Sequence, residues 1–164
     1  MLKITPRLII EEAKKRNIQI EVVNESAALL KIVAGGHSVY ISSMLSVGTS
    51  AVAVKIADNK YSTYVIAKKL DVSTPETLGF TTQETALEFL EKHKVIVVKP
   101  LDSAHGNGIT TNVENEEALF TAITTASELS DTVLLQQQVA GADIRLLFIG
   151  GKLAAAARRE PASV

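Results

Sequence analysis

VIVVKPLDSAHGNGITTNV, residues 95–113, decides the fold class of this 164-residue chain. Val95–Lys99 is a short apolar run of the kind found in buried strands. Asp102–Gly108 reads as a loop, and Ile109–Val113 as a second strand. Two glycines let backbone amides approach an anion closely, and Lys99, at the end of the first strand, supplies positive charge. Such a loop suits a polyphosphate. It lacks the Gly-Lys-Ser/Thr of a Walker loop, and strand-like residues follow Gly108 where a dinucleotide fingerprint needs a helix. Gly-Asn-Gly between strands is equally the composition of a plain turn, so the loop alone does not settle a function.

Working outward, helices flank this strand–loop–strand unit. Thr82 is placed to cap a helix with Glu84 near its start and Ala86, Leu87 and Leu90 at helical spacing. Asn115 caps another, with Ala118, Leu119, Ala122, Ile123 and Ala126 inward. Lys60–Leu70 reads as a helix with Tyr64, Ala67 and Leu70 on one face, and Thr77–Thr81 and Thr132–Leu135 as strands. At the front, a Thr5 cap and Pro6 at the first helical position predict a helix whose last turns carry Lys14, Lys15 and Arg16, matching the macrodipole. Ile18, Ile20 and Val22 alternate with polar residues as in a strand. Gly35-Gly36 and Gly150-Gly151 each separate two apolar runs and predict hairpins. Ala51–Ala57 fits either a strand or a short helix. The pattern as a whole is α/β.

Composition narrows the classes. Apolar residues make up 46% of the chain, too many for a disordered one. No cysteine is present, which removes disulfides and cysteine-based zinc sites and fits a cytoplasmic protein. The first ten residues, MLKITPRLII, carry charge on both sides of a short apolar stretch, unlike a signal peptide. Apolar runs are too short to span a bilayer, which argues against a membrane partner. A net charge of −1 argues against nucleic-acid binding through bulk electrostatics. The charge is nevertheless divided: +3 over residues 1–57, −6 over 58–132 and +2 over 133–164. These shifts coincide with changes of pattern and define three segments.

Further candidates lie near the C-terminal end. After the strand at 132–135 come Gln136, Gln137, Gln138 and Val139, then Gly141 and Asp143. An open peptide segment there can offer backbone N–H and C=O groups to a purine edge, and Asp143 can accept bonds from ribose hydroxyls. Alternatively, the glutamines face solvent and Asp143 begins a strand. Arg158 and Arg159 end the run KLAAAAR. Only one can face a given side of a strand, and the alanine run does not say which. A guanidinium matches phosphate oxygens, although paired arginines are commonly surface charge. His37, His93 and His105 show no metal-ligand spacing.

The order of these features is more telling than any one of them. Asn59-Lys60 opening a helix, Pro75, VIVVKP, SAHGNGIT, LLQQQVAGADIR and GGKLAAAARREPA together resemble the ATP-grasp superfamily, above all the ATP-grasp module of cyanophycin synthetases and bifunctional glutathione-synthesising proteins. TPRLIIEEAKKRNIQIEVV resembles the region preceding that module. The resemblance implies a pre-ATP-grasp domain over 1–57, a phosphate-loop lobe over 58–132, and a hinge with the start of the second lobe over 133–164. It implies that Lys60 and Lys99 bind ATP phosphates and that His105, Gly106, Asn107 and Gly108 form the phosphate-covering loop. Gln136 falls where the family has an acid near the adenine amino group, a departure. Gln137 to Val139 match the hinge whose backbone reads adenine, Asp143 matches the acid on the ribose, and Arg158, less readily Arg159, matches the basic residue facing the transferred phosphoryl group.

The implied reaction is ATP-dependent joining of a carboxylate and an amine through an acyl phosphate, with magnesium. In the family the magnesium ligands lie on an acidic strand beyond the RREPA motif, and after Arg145 the only carboxylate in this chain is Glu160. The expectation is therefore the front portion of a ligase, truncated before the metal-binding half and inactive alone. The competing reading is a non-catalytic nucleotide-binding or assembly module. An uncovered hairpin at 144–157 would favour a homo-oligomer.

Overall fold

The computed structural model describes residues 2–103 and 106–160, and the chain divides into two units, Met1–Asp58 and Asn59–Val164. In the first unit, helix α1 (Ile4–Lys15) accompanies an antiparallel sheet of β1 (Gln19–Asn24), β2 (Leu29–Ala34), β3 (His37–Ser42) and the short β4 (Leu45–Ser46), in that order. α1 starts two residues earlier than predicted. Lys3 is the N-cap, without a side-chain cap bond, and Thr5 lies inside the first turn. Proline is tolerated anywhere in that turn because its missing N–H has no intrahelical acceptor there. Asn17, at φ +55°, ends the turn that follows the helix. The ambiguous stretch forms a helix, α2 (Ala51–Asp58), with no buried residue.

The second unit opens with α3 (Lys60–Lys69), capped by Asn59, whose Oδ1 accepts from the Ser62 N–H at 2.7 Å. Tyr64 and Ala67 are half-buried, but Leu70, expected on the same face, caps the helix and is 69% exposed. Then follow β5 (Thr77–Gly79), α4 (Gln83–His93), β6 (Ile96–Pro100), β7 (Thr110–Val113), α5 (Glu116–Ser127) and β8 (Val133–Gln137). Thr82 and Asn115 cap α4 and α5 as predicted. The strands form an antiparallel sheet in the order β5-β8-β6-β7.

Side chains alternate along a strand, so one face of this sheet is apolar and packs on helices. Ile96, Val98, Val113, Val133 and Leu135 meet Ala86, Phe89 and Leu90 of α4 and Leu119, Ala122, Ile123 and Ala126 of α5. Each fully buried aliphatic side chain there contributes about 1.5–3 kcal/mol. The same alternation sends Val97, Lys99, Leu134 and Gln136 to the opposite face, where the register sets Val97 beside Gln136, Lys99 beside Leu134, and Thr77 beside Gln136. After β8 comes a hairpin, β9 (Asp143–Ile149) and β10 (Lys152–Arg159), a two-stranded sheet of its own among the described residues. No helix among the described residues is long and apolar enough to cross a membrane.

Candidate functional site

Lys99 is half-buried on the helix-free face of the sheet. Its ammonium donates to Gln136 Oε1 at 2.8 Å; Gln136 Nε2 donates to Thr77 Oγ1 at 2.8 Å; and the Thr77 hydroxyl donates to the Pro75 carbonyl at 3.1 Å. This relay crosses three strands and fixes the amide with its oxygen toward the lysine. Burial pushes the Lys99 pKa below the usual lysine range, and the positive charge of Lys60 pushes it the same way. Gln136 is neutral, so it accepts one N–H without cancelling the charge. Among the described residues Gln136 is its one hydrogen-bond acceptor, which leaves two donors of the ammonium for another.

Lys60 is the first residue of α3. Its Nζ donates to three carbonyl oxygens, Pro100 at 2.9 Å, Leu101 at 2.6 Å and Ser103 at 2.8 Å. Burial lowers its pKa, and the nearby Asp102 carboxylate opposes that shift. The same segment is held from its other side: the Leu101 N–H donates to the Thr132 carbonyl at 2.9 Å, and the Asp102 N–H reaches Ser130 Oγ at 3.4 Å. Ser103 Oγ is buried without a hydrogen-bond partner among the described residues. Where the loop returns, Gly108 has φ +70°, and a Cβ there would lie 2.6 Å from Leu129 Cδ1 and 3.2 Å from Pro100 Cγ. The positive φ favours glycine there, while the exposed Leu129 side chain could give way to a Cβ. Gly106 and Asn107 lie in the turn before it, and His105 lies outside the described residues. A cavity of about 570 Å³ opens between the start of α3 and strands β5 and β8, with Tyr61, Gly79, Leu101 and Leu134 in its wall.

The other predicted residues are placed less closely. Neither Gln137 nor Gln138 is left to solvent. The Gln137 N–H donates to the Glu76 carbonyl at 2.8 Å, and its Oε1 accepts from the Glu76 N–H at 3.3 Å. Gln138 exchanges two bonds with Asn112: its Oε1 accepts from the Asn112 N–H at 2.7 Å, and its Nε2 donates to Asn112 Oδ1 at 2.6 Å. Val139, just past β8, is exposed. Asp143 pairs with Arg159 at 3.1 Å, and Arg158 with Glu160 at 3.1 Å, all exposed. The register puts Arg158 opposite Ile144 and Arg159 opposite Asp143. Among the described residues, no hydrogen bond or ion pair joins Asp143 or Arg158 to Lys60, Lys99 or Gln136.

No group of three or more potential metal-ligating side chains occurs among the described residues. Magnesium prefers several oxygen ligands, usually including carboxylates, and Glu160 is engaged by Arg158. The residues present do not fit a magnesium site. Sequence reasoning missed Thr77 and the three carbonyls around Lys60. Those partners are 40 to 43 residues from Lys60, and no local pattern announces them.

Residues 63–164 match the family described as prokaryotic glutathione synthetase, ATP-grasp domain. A cyanophycin synthetase from Crocosphaera subtropica is 35% identical over 161 residues, covering 95% of this chain and 18% of that protein. A glutathione biosynthesis bifunctional protein from Listeria welshimeri is 27% identical over 168 residues, covering 99% of this chain and 22% of that protein. A solved bifunctional glutathione synthetase from Pasteurella multocida shares the fold, with a TM-score of 0.64 and 23% identity over 98% of this chain and 22% of that one. The chain thus spans about a fifth of the length of these relatives.

Proposed function

This chain belongs to the ATP-grasp family of the prokaryotic glutathione synthetase type, and from that premise we propose that it is the ATP-binding portion of a carboxylate–amine ligase. In the proposed reaction a substrate carboxylate oxygen attacks the γ-phosphorus of ATP and ADP leaves. An amine then attacks the acyl phosphate, phosphate departs, and an amide forms. The observation that carries the ATP-binding part is Lys99: a half-buried ammonium, two N–H donors unspent, held by a neutral glutamine rather than a carboxylate. A low-dielectric site with an unneutralised cation favours a polyanion. Gly106, Asn107 and Gly108 would bring backbone amides to the phosphates, with His105 in the same loop. Gln136, Gln137 and Val139 would meet the base, Asp143 the ribose, and Arg158 the transferred phosphoryl group.

In this reading residues 1–57 are the pre-ATP-grasp segment, 58–132 the phosphate-loop lobe, and 133–164 the hinge and the start of a second lobe. Magnesium, when present, would neutralise the triphosphate. The competing reading is a nucleotide-binding or assembly module that keeps the fold without turnover. The exposed apolar residues of β9 and β10 support self-association as a homo-oligomer, which a monomer at high concentration in sedimentation equilibrium would refute. A cytoplasmic location fits the proposed chemistry.

Calorimetric titration of the chain with ATP tests the site. Lys99→Ala is expected to weaken binding by about tenfold or more, the scale of a lost charge-assisted hydrogen bond. Unaltered affinity would sink the assignment. Binding should also fade as pH rises, and at a lower pH than an ordinary lysine would give, because the ammonium's pKa is depressed. Amide formation at ordinary ligase rates by this chain alone would rule out the inactive-fragment and non-catalytic readings alike.

A further inference from the structure

Gln137, the last residue of β8, interrupts the sheet ladder with its own side chain. The register of β5 on β8 pairs Thr77 with Gln136, and so continues to Glu76 and Gln137. The Gln137 N–H donates to the Glu76 carbonyl at 2.8 Å, as that continuation requires. In an antiparallel hydrogen-bonded pair the two residues exchange both N–H···O bonds. Here the reciprocal bond is diverted. The Glu76 N–H donates to Gln137 Oε1 at 3.3 Å, and β5 starts only at Thr77.

The diverted bond leaves a backbone acceptor open. On the β6 side Ile96 stands opposite Gln137, and the next residue, Gln138, donates its N–H to the Val95 carbonyl at 3.3 Å. Hydrogen-bonded and non-hydrogen-bonded pairs alternate, so Gln137 makes no ladder bond to β6 and its carbonyl faces the β5 side. Among the described residues no donor reaches that carbonyl. Glu76 is itself anchored to α4. Lys92 Nζ donates to both oxygens of its carboxylate, at 2.7 and 2.8 Å, and the His93 imidazole, 9% exposed, lies 3.4 Å from one of them. The Lys92 hydrogen bond holds the Glu76 carboxyl below the usual carboxylate range, so the anchor stays charged at neutral pH.

We propose that Gln137 is a specificity-determining residue for the base: its side chain satisfies the Glu76 N–H and so keeps its own backbone carbonyl open to the amino group of a purine. This inference rests on the ATP-binding reading above and deepens it, because a side chain decides whether the backbone can be read. A carbonyl has two lone pairs, but a closed ladder pair would bring the Glu76 N–H against it and narrow the approach for a ring amino group.

Calorimetric titration with ATP and with purine riboside triphosphate, which lacks only the amino group, tests the assignment. The unmodified chain should bind ATP about fivefold more tightly, the scale of one hydrogen bond. In Gln137→Leu the Glu76 N–H loses its side-chain acceptor and turns to the backbone carbonyl, so that preference should fall by about the same fivefold. Gln137→Glu keeps an acceptor oxygen and should keep the preference. Equal binding of the two nucleotides by the unmodified chain overturns the inference while leaving the ATP-binding reading intact. A preference undiminished in Gln137→Leu does the same, even if both affinities drop, since a purely structural role weakens both alike. Binding of neither nucleotide refutes the ATP-binding reading and the inference with it. A crystal structure of the nucleotide-free chain reads the ladder directly. The Glu76 N–H on Gln137 Oε1 supports the inference; the same N–H on the Gln137 backbone carbonyl refutes it.

Discussion

Two Gly-Gly hairpins with the same local geometry lead very different lives in this molecule. Gly35-Gly36 has φ values of +56° and +76°, and Gly150-Gly151 has +57° and +76°. Positive φ at both central positions is the signature of the two-residue hairpin turn whose twist matches the strands. The first hairpin, β2–β3, pairs in unbroken register inside a four-stranded sheet, and Leu30 on β2 is fully buried. The second, β9–β10, has a bulge between Leu153 and Ala155 and pairs with no other strand, and Leu147 is its one residue that is not exposed. Turn chemistry writes a hairpin; its neighbours decide what that hairpin contributes to stability.

The largest test of that contrast is truncation of one leucine in each hairpin. Leu30→Ala is expected to cost about 3 kcal/mol, as for other buried leucines. That is a large part of the stability of a unit whose other buried side chains are Pro6 and Ala13. Leu146→Ala, on the exposed strand, is expected to change stability by less than about 0.5 kcal/mol. Urea unfolding followed by circular dichroism reads both, and equal costs would break the comparison by showing that the second hairpin is covered in solution.

Smaller effects sharpen the contrast. Gly36→Ala and Gly151→Ala each force an L-residue into left-handed backbone, at about 1–2 kcal/mol. The first should lower the unfolding midpoint of its unit. The second should weaken nuclear Overhauser contacts between Lys152 and Ile149 while leaving the midpoint in place. A common shift in both would mean that β9–β10 is coupled to the rest of the fold. Least of all, Asp143→Asn removes the exposed pair with Arg159, worth at most about 0.5 kcal/mol. Hairpin population should fall slightly at low salt and not at all at 1 M, which amide temperature coefficients would show.

What was legible in the sequence was local. The Gly-Gly turns, the Thr82 and Asn115 caps and the inward face of α5 each depend on residues within a few positions of one another, and each was read correctly. Thr5 was misread because proline fits several positions of a first turn equally well. The helix-or-strand question over 51–57 stayed open because small apolar residues serve both states. In the site, the lysines and glycines could be picked out by type, but their partners could not. Gln136 meets Thr77 across 59 residues, and Lys60 meets carbonyls, which every residue possesses and no sequence pattern marks. The cross-strand partner of Arg158 depends on pairing register, and an alanine run carries no alternation from which to infer it.

The strand order β5-β8-β6-β7 also dictates a timetable. During synthesis from the N-terminus, β6 and β7 can zip together as soon as they emerge, since a short loop joins them. β5 is made before either, yet its one partner in the sheet is β8, the last of the four to be made, which must insert between it and β6. Until then β5 has no ladder to join, and Lys99 and Thr77 lack the glutamine that links them. Closing so long a span is slow compared with local pairing. The apolar faces of β6 and α5 meanwhile wait for Val133 and Leu135. A nascent chain paused just before residue 133 would hold most of this core but neither a finished sheet nor the Lys99–Gln136–Thr77 relay. Both are completed in one late event, the arrival of a single five-residue strand.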